Sequence, residues 1–189
     1  VHSLDGGLAV PVADLGEAIE EQVEFHHQPT EALDENGQGN AHVSFAFAAH
    51  RAVVDVDAEL GLVRVHDMTT AQDVGRVLNP VQAIGQVEGG TAQGVGLAVM
   101  EELVVTDGII ENRSFTDYLI PTTLVMPTVR IAALFEEPEP NAPFGAKGIG
   151  VPPTISSTPA IVAALRAATG LELSRVPVRP QDIALPDTL

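Results

Sequence analysis

The chain has 189 residues, 45% of them hydrophobic, and 26 acidic against 9 basic side chains give it a formal net charge of −17. That apolar content is enough for a core and rules out a disordered tail, while the acidity argues against nucleic acid or an anionic membrane as a partner. Cysteine is absent, so no disulfide framework, thiolate metal site or iron–sulfur cluster belongs to this chain, as suits a cytoplasmic protein. No apolar run approaches the roughly 18 to 20 residues that span a bilayer. The opening "VHSLDGG" has neither signal peptide nor methionine, and reads as a processed start or as a piece of something larger.

In chain order, "VADLGEAIEEQV" from Val12 to Val23 has helical apolar spacing with Asp14 near its start, and predicts a short amphipathic helix. "HHQPTEALDENGQGN" is polar and turn-rich, hence a loop. "HVSFAFAAHRAVVDVDAELGLVRVHDMTT" reads as strands. Within it Val53 to Val56 and Leu62 to Val65 flank "DAELG", a hairpin signal with Gly61 available for a positive φ. "VEGGTAQGVGLAVMEEL", Val87 to Leu103, predicts a helix carrying four glycines. Each glycine costs about 1 kcal/mol relative to alanine, so something is expected to approach that helix closely. "TVRIAALFEE" predicts a buried strand, and "EPEPNAP" a proline-punctuated connection. A last helix is expected in "STPAIVAALRAATG". Ser157 or Thr158 would cap it, Pro159 would sit in its first turn, and Gly170 would end it in a left-handed conformation. Ile161, Leu165 and Ala168 would share one face. Strands and helices mix without repeat or regular alternation, so the expected class is α+β.

Few motifs point to catalysis. His26 and His27 are adjacent and cannot both face one metal from a regular helix or strand. None of the six histidines forms H-E-x-x-H and no acidic run resembles a calcium loop, so the histidines read as surface or capping residues. A G-x-S-x-G elbow is missing. "GAKGIG" contains the only lysine, Lys147, but Gly148 follows it where a phosphate loop needs a hydroxyl for magnesium. Two glycine clusters remain, "IGQVEGGTAQGVG" and "FGAKGIG". Such segments expose backbone N–H groups to an anion, and Gln86 and Gln93 can donate and accept at once. From spacing alone they read equally well as tight structural turns.

Taken together, several segments carry a resemblance. "DVGRVLNPVQAIGQVEGGTAQGVGLAVMEEL", then "DYLIPTTLVMP", then "PFGAKGIGVPPTISSTPAIVAALRAATG" resemble the C-terminal part of the molybdenum-cofactor-binding large subunit of the xanthine dehydrogenase/aldehyde oxidase family. "GQGNAHVSFAFAAHRAVVDVDAELGLVRV" resembles the hairpin region ahead of that part. The likeness runs from about Pro29 to the C-terminus and matches roughly the last quarter of the family's large subunit. It divides the chain into 1–28, an N-terminal helix and linker ending a missing upstream region, and 29–189, the cofactor-binding region. The resemblance implies that Asn79 and Gln86 of "LNPVQAIGQ" lie against the pterin. It also implies that Lys147, Gly148, Ile149 and Gly150 pass close to the molybdenum, with Lys147 offsetting phosphate charge. The implied cofactor is molybdopterin, which bacterial members usually carry as the cytosine dinucleotide. The implied partners are the rest of the molybdenum subunit and the subunits holding [2Fe–2S] clusters and FAD. The implied substrate is a small aldehyde or an N-heterocycle such as a purine.

One position departs from the family pattern. After "KGxG" the family keeps a glutamate, the general base for hydroxylating an electron-poor carbon; here it is Val151. Valine accepts no proton, and a positioned base is worth about 10²- to 10⁴-fold. Glu101 and Glu102 follow the glycine-rich helix, but nothing local brings them to the loop. The expectation is therefore a fragment or split subunit of a molybdenum hydroxylase, inactive by itself. A degenerate subunit kept as a structural or assembly module is the other reading, and an unrelated α+β binding module a third.

Overall fold

A computed structural model describes residues 11–186 except 15, 17 and 19. Alternating β-branched residues build its first hairpin. Strands β1 (Ala48–Asp57) and β2 (Leu62–Asp73) pair antiparallel, with a bulge between Val53 and Val54. Asp57 Oδ1 accepts from the amides of Glu59 (3.1 Å) and Leu60 (3.0 Å), a side-chain-closed turn. Gly61 completes it at φ +68°, and a Cβ there would lie 2.0 Å from the Pro180 carbonyl oxygen. The hairpin expected around "DAELG" is present, longer at both ends.

Beyond the glycine-rich helix the chain forms a small hairpin, β3 (Val105–Thr106) and β4 (Ile109–Ile110), turned by Asp107 and Gly108, both at positive φ. Strand β5 (Thr128–Phe135) then pairs parallel with β2, giving the order β1-β2-β5. The expectation of a buried strand in "TVRIAALFEE" is corrected here. With a partner on one side only, β5 is an edge, and its side chains are half-buried or exposed throughout. Central β2 is the strand that carries buried residues: Val65, Met68, Thr70 and Gln72.

Helix α1 spans Pro80–Val99, seven residues earlier than expected at its start and four at its end. Asn79 caps it, its Oδ1 accepting from the Gln82 amide at 3.1 Å, and Pro80 supplies the preset φ of a first turn. The helix stops where the amides of Met100 and Glu101 both bond the Gly96 carbonyl. Helix α2 spans Pro152–Thr169 and ends at Gly170 in the left-handed region, as expected. Its start is not as expected. Pro152 and Pro153 open it, and Val151 occupies the cap position without a side-chain bond. Ser157, Thr158 and Pro159 therefore lie inside the helix. Of the predicted face, Ile161 and Leu165 are buried and Ala168 is exposed. A short α3 (Pro180–Ala184) closes the fold.

The two long helices lie together, α2 also against β1, and the core joins Val65 and Met68 of β2, Val95 and Ala98 of α1, and Ile161 and Leu165 of α2. This is the α+β arrangement the sequence implies. The helix expected from Val12 to Val23 is not formed in the residues described. Val12–Asp14 make one 3-10 turn and Glu20 to Val23 have no regular structure; residues 15, 17 and 19 lie outside the described set. Val23 is 87% exposed, so its side chain contributes no burial that would repay helix nucleation.

Candidate functional site

The glycines of α1 separate by what lies beside them. A Cβ on Gly90 would meet Pro153 Cβ at 2.8 Å, and one on Gly94 would meet Ser157 Oγ at 1.8 Å. Two hydroxyls of α2 exploit that closeness: Thr154 Oγ1 donates to the Gly90 carbonyl (2.9 Å) and Thr158 Oγ1 to the Gly94 carbonyl (3.1 Å). The close approach that the glycines imply is thus made by α2. Gln93 is drawn into the same contact, its Oε1 accepting from Thr154 at 3.1 Å. On the remaining face, a Cβ on Gly85 or Gly89 would meet nothing within 4 Å.

The second glycine cluster is tied to the end of β2. Phe144 and Gly145 form the centre of a tight turn, both at positive φ (58° and 74°). Arg76 N donates to the Gly145 carbonyl (2.8 Å), Lys147 N to the Val74 carbonyl (3.2 Å), and Gly75 bridges to Ala146. At φ +61°, Gly75 is the only residue type that fits: a Cβ would lie 2.5 Å from the Gly145 carbonyl oxygen. Beneath this contact Lys147 Nζ donates to Asp73 Oδ2 at 2.7 Å, the two side chains only 7% and 11% exposed. Burial raises the Asp73 carboxyl. The bonds from Lys147 and the Gly75 amide and the lysine's charge outweigh it, so the group sits below its ordinary value.

These elements enclose a cavity of about 270 Å³ lined by Val74, Arg76, Val77, Leu78, Asn79, Gln82, Ala83, Gln86, Ala146, Lys147 and Ile149. Four of the residues singled out in the sequence, Asn79, Gln86, Lys147 and Ile149, meet there. Gly150 lies beside them, since its Cβ would be 3.3 Å from Gln86 Oε1, and a Cβ on Gly148 would meet nothing within 4 Å. Among the described residues, the amides of Gly148, Ile149 and Gly150 have no acceptor. Three successive free N–H groups beside two carboxamides are what an anionic or heteroatom-rich ligand requires.

One expectation needs revision, and two lining residues were not foreseen. Lys147 does not present its charge to the cavity, because Asp73 neutralises it. Arg76, unmarked in the sequence reading, lines the cavity and makes no ion pair among the described residues. The signal was there: Arg76 is the one basic residue between Arg64 and Arg113. Gln82 was also missed, one helical turn before Gln86.

Val151 is not part of the cavity lining; it precedes α2 and is 63% exposed. Neither glutamate expected as a remote alternative comes near. Tyr118 donates to Glu101 Oε2 (2.8 Å), and Glu102 pairs with Arg175 and Arg179. Both lie beyond the C-terminal end of α1, where the Glu101 carboxylate turns back only as far as Gly96. The reading of every histidine as a surface or capping residue fails at His50. On β1 it faces Ser156 of α2 (Nδ1, 2.8 Å) and Thr91 of α1 (Nε2, 3.1 Å), and burial pushes its pKa down to about 4. Among the described residues no group of three or more His, Asp or Glu side chains could hold a metal, and no helix is long and apolar enough to cross a membrane.

A mixed α+β unit presenting carboxamides and free amides to one cavity belongs to the class of cofactor-binding subunits. Residues 9–127 match the family model of the molybdopterin cofactor-binding domain. The chain is 34% identical over 138 residues to a xanthine dehydrogenase molybdenum-binding subunit of Escherichia coli O157:H7, covering 72% of this chain and 18% of that one. It superposes on the aldehyde oxidoreductase of Desulfovibrio gigas with a TM-score of 0.73 and 31% identity, covering 82% of this chain and 17% of that one. The quinoline 2-oxidoreductase of Pseudomonas putida 86 gives 0.65 and 38%, covering 71% and 17%. The chain belongs to the xanthine dehydrogenase/aldehyde oxidase family of molybdopterin-binding proteins. It spans about a fifth of the length of the curated relatives it matches.

Proposed function

We propose that the chain forms one wall of the molybdopterin site of a molybdenum hydroxylase, as the C-terminal region (29–189) of a longer or divided large subunit. The observation that carries this is that Asn79, Gln86 and Ile149 line one cavity, with Ile149 in a loop, Gly148 to Gly150, whose three amides are unpaired. The residues fit the group. Gln86 can donate to and accept from a pterin edge, Asn79 keeps its amide donors after capping α1, and Gly148 leaves room for a neighbour a side chain would displace. Arg76 supplies the positive charge that Lys147 does not. Exposed Leu78, Val81 and Ile84 beside the cavity suit a further polypeptide packing there, the remainder of the subunit. Subunits carrying [2Fe–2S] clusters and FAD would complete the electron path.

When bound, the cofactor supplies oxygen transfer and two-electron oxidation, a chemistry this chain cannot provide from its side chains. The chain's residues bind and orient it. The names of the relatives point to aldehydes and N-heterocycles as the substrate class. Val151, at the position of the family's general base, holds no proton, and Glu101 and Glu102 are engaged elsewhere. None of these three residues is therefore placed to accept the proton.

The test is the molybdenum and pterin content of the complex purified with its natural partners. Stoichiometric molybdenum is expected; a cofactor-free complex removes the reading. In the loaded complex Val151→Glu should raise hydroxylation of an aldehyde or purine by about 10²- to 10⁴-fold. No gain would place the base outside this segment. A second reading is favoured by Val151 alone: a degenerate subunit that keeps the fold for assembly. It predicts no molybdenum and no response to Val151→Glu.

A further inference from the structure

We propose that the Asp73–Lys147 pair is a latch that fixes the Gly148–Gly150 amides at the cavity, making Lys147 a positioning residue and not a cation for the ligand. This rests on the molybdopterin reading for its purpose, but its geometry stands independently.

Three observations converge. First, the lysine ammonium and the carboxylate are 2.7 Å apart and almost fully withdrawn from solvent, so neither is free to meet a ligand. Second, Asp73 holds both sides of the contact. Its Oδ2 takes Lys147, while its Oδ1 accepts from the Gly75 amide at 3.1 Å, within the turn against which the loop rests. Third, Gly148 to Gly150 have no backbone hydrogen bond of their own, so their course depends on how firmly Lys147 and its neighbours are held. After the Lys147 amide bonds Val74, no backbone bond forms until the Val151 carbonyl receives the amides of Thr154 (3.0 Å) and Ile155 (3.1 Å) at the start of α2. Gly148 and Gly150 contribute little stiffness of their own. The direction of the three free amides is therefore set from two ends, by Lys147, held through its side chain to Asp73 and its amide to Val74, and by the helix.

A charge role for Lys147 and a latch role predict opposite outcomes for one variant. Asp73→Asn leaves the lysine charged and strips its counter-ion. If Lys147 acted by charge, that variant would hold an anionic cofactor more tightly, whereas Lys147→Met would hold it less. If the pair is a latch, both variants loosen the loop.

The experiment uses the purified multi-subunit complex and measures amide hydrogen exchange together with retained molybdenum. In both variants, exchange in peptides spanning residues 74–76 and 145–147 should rise at least tenfold while the β2 core around Val65 to Met68 keeps its protection. Retained molybdenum should fall several-fold in both. The double variant Asp73→Asn/Lys147→Gln, a neutral pair that can still hydrogen-bond, should return exchange most of the way to the wild-type rate. Unchanged exchange in either single variant, or a rise spread evenly through β2 and α2, overturns the latch. So does tighter retention of molybdenum by Asp73→Asn. A wild-type complex without molybdenum overturns the cofactor reading instead, and the exchange data then decide the latch alone.

Discussion

The glycines of the two clusters look alike as sequence and differ, within each cluster, in what they face. In α1, Gly90 and Gly94 are glycine because α2 occupies the space a side chain would need, and Thr154 and Thr158 bond the carbonyls so exposed. In the loop, Gly148 meets nothing within 4 Å, and the outward glycines of α1, Gly85 and Gly89, meet nothing either. The first set is explained inside the chain. The second set finds no reason inside it, and lies on the side where a cofactor and the rest of a larger subunit are proposed to sit. Glycine content alone does not distinguish a packing contact from a binding surface; the neighbour of the missing Cβ does.

Substitutions in the packed set should cost the most. Gly94→Ala forces a methyl to within 1.8 Å of Ser157 Oγ and 2.9 Å of Ser157 Cβ, and Ser157 is fully buried. A loss of about 3 kcal/mol is expected in chemical denaturation, the upper range for overpacking. An unaffected Gly94→Ala would mean that the helices do not cross here.

His50 sits at the same crossing and gives the next effect. It is neutral when folded, with a pKa near 4, while its ordinary value is 6.5. Between those values the unfolded chain binds more protons, so stability is full above pH 6.5 and declines as pH falls toward 4. The Thr91 and Ser156 hydroxyls each have a carbonyl acceptor of their own, Val87 O (2.8 Å) and Pro152 O (2.9 Å), so they stay satisfied if the ring is removed. His50→Leu should therefore cost only about 1 kcal/mol at pH 7.5 and flatten the decline in melting temperature across that window. A decline that persists in the variant would assign it to other groups.

What was legible in the sequence was local. The β1–β2 hairpin and the Gly170 terminus follow from contiguous signals, whereas the pairing of Asn79 and Gln86 with the "KGIG" loop came from the family resemblance and from no spacing rule. The parts that were not legible join residues far apart in the chain. Asp73 and Lys147 are separated by 74 positions, and His50 by 41 from Thr91 and 106 from Ser156, so no spacing rule reports them. Helix α2 misled for another reason. Its cap was expected at Ser157 or Thr158, yet Pro152 and Pro153 suit the first turn of a helix equally well, because the missing N–H has no bond to lose there. Pro159 then looked like that first turn. In the fold it is tolerated mid-helix, where proline usually costs about 3 kcal/mol, and nothing in the local pattern foretells that.

The smallest changes in stability provide the finest test of the comparison. Gly89→Ala places a methyl in open space on α1 and should stabilise the chain by about 1 kcal/mol, the helix-propensity difference. Gly148 is not held at positive φ and its Cβ would also meet open space, so Gly148→Ala should be neutral or stabilise by about 0.4 to 1 kcal/mol through the unfolded state. Folding thus treats the two positions alike. Cofactor retention should not. Gly148 lies among the three free amides, and a methyl there stands where the ligand approaches, so the complex carrying Gly148→Ala should lose molybdenum while its melting temperature holds or rises. Equal retention in wild type and Gly148→Ala would show that this glycine faces protein rather than cofactor, and would move the ligand contact toward Arg76, Asn79 and Gln86.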